Sequence, residues 1–202
     1  MKEQPYGVRM TEHGRDCGAA ACKYVLIMLG AGDAGESRRE IMNTVRTPAL
    51  GTDFLGSTPA NIGNYIKERC REAGVPVIVE RANGHNPVGH VGGRGYLWGL
   101  GVAMTQFSKS SIASNDPDVT INWTTGHGSA QLAIMRMIAP KEGGYFKPHW
   151  VVQTHFRGAI QVMDPDGGSI TKVNSFAAWM DLVNDEKPKK FRSLNLDLQI
   201  WG

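Results

Sequence analysis

Cysteine is scarce in this 202-residue chain, with three residues at positions 17, 22 and 70. An odd number leaves one thiol over under any intramolecular pairing, and the spacing lacks the close pairs of a thiolate metal site. Both facts argue against a disulfide scaffold and for a reducing compartment or a reactive thiol. Net charge is small as well: 22 Lys and Arg against 19 Asp and Glu leave +3. That is too little and too evenly spread to draw a nucleic acid. No apolar h-region follows the opening MKEQPYGVR, and no long uncharged apolar run occurs anywhere. Neither a cleavable signal nor a membrane span is predicted, and a soluble protein is expected. Repeats and low-complexity tracts are missing too. What remains is a 41% hydrophobic chain, enough for one core and a single domain over 1–202.

The clearest helix signal is CGAAACKYVLIML, which Asp16 can cap and Gly30 can stop, with Cys17 in its first turn. Its positions Ala21, Val25, Met28 and Leu29 share one face at steps of three and four. A loop is expected from there to residue 58. TPANIGNYIKERCREA, residues 58–73, then reads as a second amphipathic helix, capped by Thr58 with Pro59 first. Its stripe of Ile62, Ile66 and Cys70 makes Cys70 a core residue. VPVIVE is a short strand. Residues 82–99 are too rich in Gly, Asn and Pro for a regular element, and an irregular insertion is expected over about 82–148. Within it, 119–124 suits a strand, and 129–138 is compatible with either a short helix or a buried segment. HWVVQTHF, a turn at Arg157-Gly158 and AIQVMDP form a hairpin with alternating apolar and polar residues. Gly167-Gly168 turns the chain, and 175–182 reads as a helix with Phe176 and Trp179 inward. After the charged tail DEKPKKFRS, LNLDLQIW suits a closing edge strand.

These elements place chemistry at a few residues. A thiol attacks carbonyls well only as the thiolate, and the unpaired N–H groups and positive end of a helix favour that anion at Cys17. Gly18 and Ala19 leave room for a substrate backbone. A proton acceptor and a group to orient it complete such a site. His149 opens one hairpin strand and Asp164 ends the other, so pairing brings them together. His13 is the rival base, close in sequence to Cys17, whereas His155 reads as a half-buried polar residue. His85, His90 and His127 lack a carboxylate at ligand spacing, so neither a metal nor another cofactor is expected. An oxyanion needs two donors. The Cys17 N–H is one, and Thr11, His13 and Arg9 are candidates for the other. Gly18, Tyr96, Trp98 and Trp150 are candidates for contacting substrate, the middle two on a Gly-rich loop able to close as a lid.

The stretch DCGAAAC at 16–22, the His149-Trp150-Val151-Val152 run, Met163-Asp164-Pro165 and the later Phe176 and Trp179 together resemble papain-like cysteine peptidases. They are most similar to the branch that removes bacteriocin leader peptides after a double glycine. The resemblance covers about 8–30, 50–80 and 147–182. It implies an α+β papain-like fold in which the N-terminal helix carries the nucleophile against an antiparallel sheet, with Cys17 as nucleophile, His149 as base and Asp164 as orienting residue. It implies cleavage of a protein substrate through a thioester at a glycine-rich or double-glycine site. The chain departs from the family at Thr11, where a glutamine is expected six residues before the cysteine, and in having no accompanying transporter. Stand-alone domains of this sort are similar to antibacterial toxin effectors made in the cytoplasm and delivered without a cleavable signal, with an immunity protein as partner. Deamidation of glutamine by the same chemistry, or binding without turnover, are the alternatives.

Overall fold

A computed structural model describes residues 7–9, 16–32, 37–45, 57, 59–81, 131–140, 149–156, 159–186 and 191–201. They form four helices and six strands: α1 Cys17–Leu29, α2 Arg38–Val45, α3 Pro59–Glu72, β1 Ile78–Arg81, β2 Gln131–Pro140, β3 His149–Phe156, β4 Ala159–Asp164, β5 Ser169–Val173, α4 Phe176–Glu186 and β6 Phe191–Trp201. The strands make one sheet in the order β1-β6-β2-β3-β4-β5, and every neighbouring pair is antiparallel. Helices with an antiparallel sheet make this an α+β arrangement. Among the described residues no helix is long and apolar enough to cross a membrane.

Alternation along the strands sorts side chains to two faces. Met135 and Met137 of β2, Trp150 and Val152 of β3, Met163 of β4 and Leu198 and Ile200 of β6 share a core with α1, α2 and α3. Ile138, Val151 and Val162 point the other way, onto Trp179 and Val183 of α4. The sheet is therefore covered on both faces.

Helix α1 starts and stops where the sequence reading puts it, and with ten of its thirteen residues buried it is a core helix, apolar all round; one expectation about it needs correcting. The helix lies between the sheet and the other two helices of its layer. No side-chain hydrogen bond from Asp16 caps it; the backbone carbonyl of Asp16 accepts the first helical bond, from Ala20 N–H at 2.9 Å. At the other end Gly30 adopts φ 78°. Gly30 N–H donates to Ile27 O at 3.1 Å and Ala31 N–H to Leu26 O at 2.9 Å, the paired bonds of a Schellman cap.

The interval read as a loop before residue 58 contains α2, which buries Ile41 and Val45. Helix α3 begins at Pro59 as expected, and Ile62, Ile66 and Cys70 are fully buried. Burial also pushes the Cys70 thiol up from its ordinary pKa. The segment left open between helix and buried run is strand β2, in the middle of the sheet, so the interval 82–148 is not irregular throughout. The other corrected expectation is the closing strand. β6 is no edge: it pairs with β1 on one side and β2 on the other, and among the described strands the edges are β1 and β5. It can lie inside because its polar residue on the α4 face, Asp197, is paired at 2.8 Å with Arg136 of β2. Arg136 also donates to Gln153 Oε1 at 2.9 Å and lies 4.4 Å over the Phe176 ring. Phe176 stacks on Trp179 at 5.4 Å and remains half-buried, while Trp179 is buried. Asn184 ties α4 to the start of β6, accepting from Phe191 N–H at 2.5 Å and donating to Phe191 O at 3.2 Å. The expected lid at 82–99, the strand at 119–124, the turn at 157–158 and His85, His90 and His127 lie outside the described residues.

Candidate active site

Three elements end at one place. β3 begins at His149, β4 stops at Asp164, and α1 begins at Cys17. The hairpin register sets Val152 opposite Met163. Continued by one pair, it sets Val151 opposite Asp164, which leaves His149 two residues along on the same side. This is a diagonal within reach of a ring and a carboxylate. Helix α1 enters from the opposite layer and runs in the same direction as β3. The two are tied by the side-chain hydrogen bond of Tyr24 to Thr154 and, at their starts, by that of Cys17 to His149. Burial pushes the Tyr24 hydroxyl up to about 12, against the opposing effect of the Thr154 bond, so it stays a neutral tie.

Within the site, His149 Nε2 lies 2.6 Å from Asp164 Oδ1, and the ring also hydrogen-bonds the Cys17 side chain. The same Oδ1 accepts the Asp166 backbone N–H at 2.8 Å. This turn bond two residues on fixes the carboxylate at the strand end. The side chains of His149 and Asp164 are 14% and 7% exposed, and Cys17 is 9% exposed. Burial by itself lowers the His149 pKa. The hydrogen bonds to Asp164 and Cys17, and then the charges of both, outweigh it and push the ring up to about 10. At neutral pH the imidazole therefore carries its proton.

The remaining candidates fare differently. Gly18 is buried, but the room expected beside it is taken. A Cβ there would lie 2.6 Å from Ser57 Oγ, 2.7 Å from Ser57 Cβ and 3.2 Å from Trp150 Cδ1. Trp150 is 1% exposed and donates its Nε1–H to Ser57 O at 3.1 Å. The structure thus corrects its reading as a substrate contact: it is a core residue that holds the Ser57 segment. Arg9 is exposed, with its backbone and Cβ against Gly168 in the turn after Asp164. His155 is half-buried on β3. Thr11, His13, Tyr96 and Trp98 lie outside the described residues. Among the described residues no group of three or more His, Cys, Asp or Glu is placed to hold a metal ion. Ser57 is the neighbour of the site that sequence reasoning passed over. Its only cue was a small polar residue just before the Thr-Pro that opens α3.

The chain matches no family model and no curated protein. Among solved structures it is similar to a double glycine motif protease from an AMS/PCAT transporter in complex with the leader peptide. That match has 14% identity, covers 97% of this chain and 91% of that one, and has a TM-score of 0.42.

Proposed function

We propose that this protein is a cysteine hydrolase that cuts a peptide bond through a thioester on Cys17. The sulfur adds to the carbonyl carbon as the anion. The resulting oxyanion faces the N–H groups at the start of α1, where the positive end of the helix favours it. As the intermediate collapses, the C–N bond breaks and His149 gives its proton to the departing amine. The ring is then neutral and takes a proton from water, which attacks the thioester. The acid product leaves, and the thiolate and protonated ring are restored. Asp164 keeps Nε2–H engaged throughout and so keeps Nδ1 turned to the sulfur.

The observation that supports this reading is the continuous hydrogen-bonded chain from Cys17 through His149 to Asp164, at the point where a helix start meets two strand ends. A glycine-rich cleavage site, a role as an antibacterial effector and a paired immunity protein follow from the resemblance alone, and no described residue carries them. The test is incubation of wild type and Cys17→Ala with a bacterial lysate, followed by fragment and intact-mass analysis. Fragments that appear with wild type only are expected. Equal fragments from Cys17→Ala would sink the assignment. Intact products made slightly heavier by wild type only would replace peptide cleavage with glutamine deamidation by the same residues.

A further inference from the structure

Asp164 is held by the turn that follows it. Its Oδ1 accepts the Asp166 N–H at 2.8 Å, and pairing of Asp164 with Ser169 closes the turn into β5. Gly167 and Gly168 make that turn with φ 91° and 71°. Against it lies the segment 7–9. A Cβ on Gly7 would sit 2.3 Å from Gly168 O, 2.8 Å from Gly168 C and 3.0 Å from Met163 Cγ. Gly7 therefore meets both the residue before Asp164 and the residue that ends the turn after it. From the other end of the segment, Arg9 N and Cβ lie 3.1 Å from the point where a Cβ on Gly168 would stand. Between the two, Val8 packs against the core shared with α1. The turn is thus braced at two points by a segment anchored in the core, and the Gly168 atoms that Gly7 approaches are main chain, which cannot swing aside as a side-chain tip does.

Resting on the hydrolase reading, we propose that Gly7 is a positioning residue: by lacking a side chain it lets the segment 7–9 seat against Met163 and Gly168, and this seat keeps the Asp164 carboxylate on the His149 ring. The arrangement has little slack. Non-bonded atoms rest about 3.5 Å apart, so a methyl on Gly7 must part the segment from the turn by about 1 Å. The bond from His149 to Asp164 is 2.6 Å, and lengthened by about as much it leaves hydrogen-bonding range. If the segment gives way instead of the turn, Val8 is drawn from the core and the turn loses its brace. In both cases Asp164 is freed to move although Cys17, His149 and Asp164 are themselves unaltered. The ring then loses the partner that favours its proton.

The experiment compares wild type, Gly7→Ala and Val8→Ala as full-length proteins. The His149 ring nitrogens are titrated by NMR, iodoacetamide alkylation at Cys17 is followed against pH, and the thermal midpoint is recorded. Gly7→Ala is expected to lower the proton affinity of the ring about tenfold or more, in the direction of Asp164→Asn, with the alkylation profile moving in parallel. Val8→Ala adds no clash and weakens the anchor, so it should move the ring the same way by a smaller factor. A thermal midpoint that falls while the ring titration and the alkylation profile stay at wild type would make the contact one of packing alone, and overturns the proposal. If Gly7→Ala does not fold, Val8→Ala decides by the same criterion. If wild type cuts no peptide of a random-sequence library and Cys17 is alkylated no faster than in His149→Ala, the hydrolase reading itself falls. That outcome is distinct, because the titration reads the hold of Gly7 on Asp164 whether or not a peptide is cut.

Discussion

Replacing Asp164 by asparagine tests the electrostatics of the site most directly. The substitution keeps the shape of the group 2.6 Å from His149 Nε2 and removes its charge. Against burial, the interactions with Asp164 and Cys17 push the ring up to about 10 from an ordinary 6.5. That separation corresponds to on the order of 5 kcal/mol in favour of the protonated ring. At pH 8 a group titrating at about 10 is protonated in about 99 molecules of 100, and one titrating at 6.5 in about 3 of 100. Burial opposes the proton and is the largest single influence on the ring. Without the Asp164 charge and its bond, the midpoint is therefore expected to fall towards or below the ordinary value. The folded pKa lies above the unfolded one, so the pairing adds its full stability below about pH 6.5. It loses that stability as pH climbs from there to about 10. Asp164→Asn should flatten this loss. The assay is an NMR titration of the ring nitrogens with the pH profile of iodoacetamide alkylation at Cys17. A wild-type midpoint in the ordinary histidine range, or one that Asp164→Asn leaves unmoved, would refute the reasoning.

Two further outcomes follow from packing. Gly18→Ala gains helix propensity, yet its methyl would meet both side-chain atoms of Ser57. A net loss of about 1–3 kcal/mol is expected for such overpacking, read as a lower denaturant midpoint, and an unchanged midpoint would show that the Ser57 segment yields freely. Arg136→Leu strips the buried Asp197 of its counter-charge. Burial already pushes that carboxyl up and the Arg136 charge restrains it, so the single variant should lose about 3–5 kcal/mol. Arg136→Leu with Asp197→Leu should recover most of that; a double variant as unstable as the single one would reject the ion pair as the cause.

The parts of the fold that were legible in the sequence are those set by local chemistry. Gly30 ends α1 because the left-handed turn there suits glycine, Pro59 opens α3, and the hairpin of β3 and β4 announces itself by alternation. The meeting of His149 and Asp164 could be read from that hairpin, since fifteen residues of chain separate them and the register does the rest. What was illegible depends on distant partners. β2 is apolar along most of its length because both its faces are covered, and such a run looks alike as helix or strand. β6 alternates as an edge strand would, and only Arg136, 61 residues away, makes the interior tolerable for Asp197. Ser57 reaches Trp150 across 93 residues, a contact that no spacing rule announces. α2 buries only two side chains among charged neighbours, too faint a stripe to separate from a loop.

The position of β6 governs how the molecule comes together. β1 precedes it by more than a hundred residues and pairs with it from Ile78 opposite Trp201 to Arg81 opposite Leu198. While the chain emerges from the ribosome, β2 through β5 can zip as successive neighbours, yet β2 keeps one flank bare and β1 waits for its companion until β6 arrives. Closing so large a loop late makes for slow maturation, with an unpaired strand edge exposed to other nascent chains in the meantime.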